Sequence, residues 1–146
     1  DIASCIQKTN DGHYLLVGYS NSNDGTTINP NGNSDALLIK IDNLGNILQQ
    51  TSVGTNDSEV ANNILQTHDN NFLIVGYSLN YDSNTKNIFI AALNANYTLL
   101  WQWQKPQDID ISYANFIFET PDCGYMLFGG KTVQNGINNT LIIKLK

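Results

Sequence analysis

Arginine is absent from this chain: all seven basic residues are lysine. Without guanidinium forks or a basic stripe, nucleic-acid binding is not expected. A sialic acid carboxylate would likewise lack its bidentate partner, which argues against sialidase chemistry. Charge of either sign is scarce, at 14% of residues, and the net charge is −6. Cysteine is limited to Cys5 and Cys123, whose spacing suits neither a zinc site nor a redox pair. Two small buried or turn thiols are the expectation. A disulfide is the alternative, and it needs Cα atoms within about 7 Å. No run approaches the ~20 apolar residues of a membrane span. The sequence carries no signal-peptide pattern and starts at Asp1, so it reads as a processed or excised product.

What is present is an ordinary hydrophobic content of 41% in 146 residues, enough for one domain with a real core. The polar remainder leans to Asn, Thr and Ser, which satisfy turns and exposed strand faces without charge.

The chain repeats. Thr9-Asn10-Asp11-Gly12-His13-Tyr14-Leu15-Leu16-Val17-Gly18-Tyr19-Ser20 returns as Thr67-His68-Asp69-Asn70-Asn71-Phe72-Leu73-Ile74-Val75-Gly76-Tyr77-Ser78. A looser copy runs from Thr120 to Gly130. Ala3 recurs as Ala61 and Ala114, 58 and 53 residues on, and periods near ~50 point to blade or solenoid units. Each unit reads as strands A to D. The first has Ala3 to Lys8, Tyr14 to Tyr19, Ala36 to Ile41 and Ile47 to Ser52. The second has Ala61 to Gln66, Phe72 to Tyr77, Ile88 to Leu93 and Leu99 to Gln104. The third has Ala114 to Glu119, Tyr125 to Phe128 and Leu141 to Leu145, one strand short.

Strands B and C are near-continuous apolar runs, whereas a one-sided sheet alternates. Both faces are therefore expected to be covered. Short antiparallel four-stranded sheets covered by their own kind are propeller blades. The expected fold is all-β: a β-propeller segment of three four-stranded antiparallel blades, about 1–53, 54–106 and 107–146, the last lacking its outer strand. Asp11, Asp69 and Asp122 fit Asx-turns, with Gly12, Asn70 and the Cys123-Gly124 pair supplying the tolerance for positive φ. Gly18, Gly76 and Gly129 fit a bend or a close approach between packed sheets.

These residues resemble the β-propeller repeats of secreted and surface bacterial and archaeal proteins. That unit reads roughly Ala-x-Ser-Ile-x-x-Thr-x-Asp-Gly-Gly-Tyr, then a strand ending in Gly, a variable loop, Leu-Ile-Lys-Leu-Asp, and Gly-Asn-x-x-Trp. Ala3, Thr9, Asp11, Gly12, Tyr14 and Gly18 match, as do Leu38-Ile39-Lys40-Ile41-Asp42, Gly45-Asn46 and Ile142-Ile143-Lys144-Leu145. Trp101 stands at the Trp position of the second repeat, where the first has Gln49. The resemblance covers the whole chain and is similar at one remove to kelch-type propellers. It implies an extracellular or cell-surface location and no common catalytic residue.

Propellers need about 4–8 blades. Three blades imply either a piece of a longer propeller or a protomer that closes by association, for instance two chains giving six blades. The expected partners are thus other propeller blades, from a longer parent chain or a homo-oligomer, and in addition a glycan or a surface protein.

Candidate ligand residues lie where the copies differ. Asp24 sits in the Asx-rich stretch Asn21 to Ser34; Asp57 and Asp110, with Glu59 and Asp108, lie between strand D and the next strand A. These D-to-A links and the strand B-to-C loops are expected on one face. A solvated surface is the plain reading and calcium the alternative, since Ca²⁺ takes six to eight oxygens, but the spaced loop with a bidentate Glu is missing. No metal or other cofactor is otherwise expected. Trp101 and Trp103 alternate with Gln102 and Gln104 and share one face; packing between blades is expected, and sugar stacking on exposed rings is the alternative. Asn56, Asn96 and Asn138 head glycosylation sequons. His13 and His68 occupy non-equivalent turn positions, and no nucleophile with a partnered His is discernible. The leading expectation is an extracellular structural or adhesive module without catalytic activity. A lectin-like carbohydrate-binding propeller and a propeller part of a larger secreted enzyme are the alternatives.

Overall fold

The structure is a computed structural model describing residues 1–22, 33–105, 111–133 and 136–146. Asp24, Asp108 and Asp110 lie outside the described residues. The described chain is all-β, with no helix and three antiparallel sheets. Sheet 1 runs β1 (Ile2–Lys8), β2 (Tyr14–Ser20), β3 (Asp35–Ile41) and β4 (Ile47–Val53) in order. Sheet 2 runs β5 (Ser58–Gln66), β6 (Phe72–Asn80), β7 (Thr85–Leu93) and β8 (Leu99–Gln104). Sheet 3 holds β9 (Ile111–Glu119), β10 (Tyr125–Thr132) and β11 (Asn138–Leu145). Several strands run past their expected ends, as at Leu79-Asn80 and Thr85-Lys86, because ladder pairing continues there beyond the apolar runs.

The turns form as the sequence dictates. In the three A-to-B turns Thr9, Thr67 and Thr120 accept a backbone bond from Gly12, Asn70 and Cys123. Those three donors carry the positive φ, at 86°, 64° and 57°. In the third turn Cys123, and not Gly124, is the left-handed residue, a correction to the looser expectation. Thr9 Oγ1 donates to Asp11 Oδ1 at 2.5 Å, and Thr67 and Thr120 bond Asp69 and Asp122 alike. In the C-to-D turns Asp42 and Asn94 each cap two backbone N–H groups.

The strand-ending glycines have a different reason from the one expected. β1, β5 and β9 each carry a register shift, after Ala3, after Ala61 and opposite Phe128/Gly129. The bulged strand pushes a carbonyl over its neighbour, so a Cβ on Gly18, Gly76 or Gly129 would sit 1.8–1.9 Å from the oxygen of Ile2, Val60 or Tyr113. The close approach is between adjacent strands of one sheet, not between sheets.

Packing is face to face and directional. Leu15, Val17, Ala36 and Leu38 of sheet 1 meet Ile64, Ile74, Phe89 and Ala91 of sheet 2. On the opposite face of sheet 2, Leu73, Val75, Ile88 and Ile90 meet Ala114, Ile117 and Leu127 of sheet 3. The repeat equivalents of Leu15 and Val17 are Leu73 and Val75, so each sheet presents the same leading face to the trailing face of the next. β5 packs against β1, β2 and β3, and β9 against β5, β6 and β7. Among the described residues only the middle sheet is covered on both sides, which is why β6 is buried from Phe72 to Gly76 and β7 from Asn87 to Leu93. Among the described residues sheets 1 and 3 each leave one apolar face open, so strands B and C are covered on both faces in sheet 2 alone.

Candidate functional site

β8 carries the two tryptophans. Trp101 pairs with Ala92 and Trp103 with Ile90, which places both rings on the leading face of sheet 2. Gln102 and Gln104 point the other way and fix the strand. Gln102 Nε2 donates to Gly54 O at 3.1 Å; Gln104 Nε2 donates to Thr55 Oγ1, Glu59 Oε1 and Ser78 Oγ at 2.8–2.9 Å. The Trp face is therefore held by polar bonds to the link that leads into β5.

Expected packing of the tryptophans is not what the structure has: Trp101 is 48% and Trp103 43% exposed. The reason is the partner. Against sheet 1, β8 brings Gln102 onto the end of β4 at Gly54. Sheet 3 has no fourth described strand to lie in the same way over Trp101 and Trp103. Trp101 instead walls an open groove of about 190 Å³ with Thr67, Asp69, Asn71, Leu100 and Tyr125. An aromatic wall beside hydroxyl, carboxylate and amide groups can stack on a sugar ring and bond its hydroxyls.

A sister groove of about 330 Å³ lies between sheets 1 and 2, with Asn10, Asp11, Lys40, Asn70 and Tyr97 in its lining. Lys40 Nζ donates to Asp11 Oδ2 at 2.6 Å and stands 5.4 Å from the Tyr97 ring centre. This lysine and the bond from Thr9 hold the Asp11 carboxyl far below its usual range. Lys144 bonds Thr120 and Asp122 in the same way at 2.5 Å, holding Asp122 down to about 2. The second repeat has Ala92 where Lys40 stands, and Asp69 turns to Asn71 Nδ2 at 2.9 Å. Tyr97 takes the left-handed place that Gly45 holds in the first C-to-D turn, at φ 64°, and stacks on Phe72 with centroids 5.0 Å apart. Its ring packs between the sheets, which compensates the backbone cost.

The grooves are bridged by equivalent contacts. Asn10 N donates to Gln66 Oε1 at 2.9 Å; one repeat later His68 N donates to Glu119 Oε2 at 3.1 Å. His68 Nδ1 also lies 2.5 Å from Glu119 Oε1, and that hydrogen bond and the negative charge raise the His68 pKa.

The other sequence candidates lie elsewhere. Asp57 sits at the opposite end of β5 from the Thr67 turn, about 30 Å away along nine residues of strand. Asn80 Nδ2 donates to Asp57 Oδ1 at 2.6 Å, so a strand D-to-A link and a B-to-C loop do share one end. A recess of about 80 Å³ there includes Asn56, Asp57, Tyr81 and Asp82. Glu59, expected on this acidic surface, is instead fully buried, accepting from Thr55, Ser78 and Gln104. Burial pushes its pKa up against those bonds. Asp57 and the Trp pair thus belong to two different places. Asn56, Asn96 and Asn138 are all exposed. Cys5 is partly buried in the first core and Cys123 exposed in a turn, both as free thiols.

Sequence reasoning passed over Lys40, Lys144, Tyr97 and the His68–Glu119 pair. The Leu-Ile-Lys strand signature held the lysines, but their Asp partners are 29 and 22 residues away. Comparison of the chain with protein-family models and with curated proteins returned no match.

Proposed function

We propose that the chain is a β-propeller segment acting outside the cell as a structural or adhesive module without catalytic activity. One observation carries this reading: the sheets stack twice in the same face order, and the residues the repeats share are spent on turns and bulges. Asp11 and Asp122 are tied up by threonine and lysine, and Asp69 by Thr67 and Asn71. Gly18, Gly76 and Gly129 make room for a neighbouring carbonyl. The resemblance to surface-protein repeats supports the extracellular setting. Beads coated with the chain and offered immobilised polysaccharides and surface proteins test it. Retention with the bound polymer unchanged by mass spectrometry is expected. Failure on every surface overturns the adhesive reading, and a cleaved polymer overturns the non-catalytic one.

A second reading, carbohydrate binding, is favoured by half-exposed Trp101 in the wall of the Thr67–Asp69–Asn71 groove, with half-exposed Trp103 two residues on along β8. Neutral oligosaccharides are expected to shift the tryptophan emission of the chain, and Trp101→Ala is expected to abolish the retained binding. Binding that survives both Trp101→Ala and Trp103→Ala overturns it.

A further inference from the structure

The two outermost faces of the stack are not alike. On sheet 3 the open face is the leading one. Phe116, Phe128 and Ile142 form one cross-strand row, and Phe118 stacks on Phe128 with centroids 5.5 Å apart. Phe116 is 62% exposed. On sheet 1 the open face is the trailing one. Ile6, Leu16 and Ile39 form its central row, with Ile6 58% exposed. A shallow groove of about 250 Å³ runs there along Ser4, Cys5, Ile6 and Leu16.

These two faces are the same pair that is mated twice inside the molecule. Ile6 and Leu16 are the repeat equivalents of Ile64 and Ile74, which receive Leu15 and Val17 in the first core. Phe128 stands where Val17 and Val75 stand, and Val75 is buried against sheet 3. Sheet 3 carries the larger aromatic side chains on its open face, and sheet 1 carries a groove on its own.

We infer that the leading face of sheet 3 docks on the trailing face of sheet 1 of a second copy of this chain, so that two chains close head to tail into a ring of six sheets. A leading face meets only a trailing face, so the contact is heterologous; it closes when the rotation allows and otherwise grows into a filament. Three strands spaced ~4.8 Å apart and ~25–30 Å long present about 400 Å² of face. A two-chain ring makes two such contacts, which brings the buried area to the ~1,200–2,000 Å² of a stable assembly. Phe116 and Phe118 are the type of exposed apolar patch that marks such a surface. The inference needs no glycan and stands apart from the adhesive reading, since its test contains no ligand.

Native mass spectrometry and light scattering of the full chain across micromolar concentrations test it. Twice the 16.2 kDa chain mass is expected. Phe116→Lys and Ile6→Lys should each give one-chain particles with unchanged circular dichroism. Mixed together they should associate more weakly than the unaltered chain but more than either variant alone, because a mixed pair keeps one sound leading-to-trailing contact where the unaltered ring has two. Hydrogen exchange on the unaltered chain, read at two concentrations, should show protection rising with concentration in β1 and β9. A one-chain mass for the unaltered protein at every concentration overturns the inference. Loss of association in only one of the two variants overturns it too, as that marks a like-on-like contact. Unbounded growth in place of a two-chain particle overturns the closed ring.

Discussion

The carbonyl oxygen of Val60 lies over the α-carbon of Gly76 so closely that a Cβ there would be 1.8 Å away. This contact follows from the bulge after Ala61, and Gly18 and Gly129 repeat it under Ile2 and Tyr113. Backbone on both sides of the contact leaves no flexible side chain to move aside.

Gly76→Ala is therefore expected to destabilise the chain by about 3 kcal/mol, read as a lower urea midpoint at unchanged slope. Gly12→Ala is the comparison: nothing lies within 4 Å of its Cβ position, and only the φ of +86° is strained. It should cost about 1 kcal/mol.

Cys123 occupies the left-handed place that Gly12 fills without strain. Cys123→Gly relieves a backbone cost of roughly 1–2 kcal/mol while adding flexibility to the unfolded chain. A net gain of about 0.5 kcal/mol is expected in denaturant melts. The exposed thiol leaves no packing to lose.

Ile64 and Ile6 hold the same place in successive repeats but are 3% and 58% exposed. Ile64→Ala should cost about 3 kcal/mol. Ile6→Ala should cost under about 1 kcal/mol in dilute samples, where only folding is read.

Asp122 is held at about 2 by Lys144 and then by Thr120, below its unfolded value of 3.8. A depressed carboxyl stabilises the fold above the unfolded value, and that contribution disappears as pH falls through the folded one. Acid melts should therefore soften the third turn below pH 3.8. In Lys144→Met, carboxyl NMR titration should find Asp122 moved up toward 3.8.

His68 behaves in the opposite sense. Glu119 raises its pKa above the ordinary 6.5, so protonated His68 favours the folded state below pH 6.5, and the contribution is lost as pH rises through the folded value. The imidazole shifts should titrate above 6.5 in the unaltered chain and fall back toward it in Glu119→Gln.

The turns and the order of the strands were legible because they are local. An Asx residue, a neighbour tolerant of positive φ and a short apolar run specify a hairpin whatever surrounds it. Asp11 and Asp69, each bonded to the threonine of its own turn, are of that kind, and the repeat then multiplies one correct unit into an all-β chain. The sequence by itself could not place residues whose environment comes from another sheet. Glu59 reads as surface charge, yet Gln104 and Ser78 converge to bury it. Trp101 and Trp103 read as packing residues, yet they stand open because sheet 3 brings no described strand across them. Ile6 and Ile64 are the same residue type at the same repeat position, and only the presence of a neighbouring sheet makes one surface and the other core. Burial belongs to pairs of faces rather than to residues, so the tertiary structure alone decided which faces of the described sheets were covered and which were not.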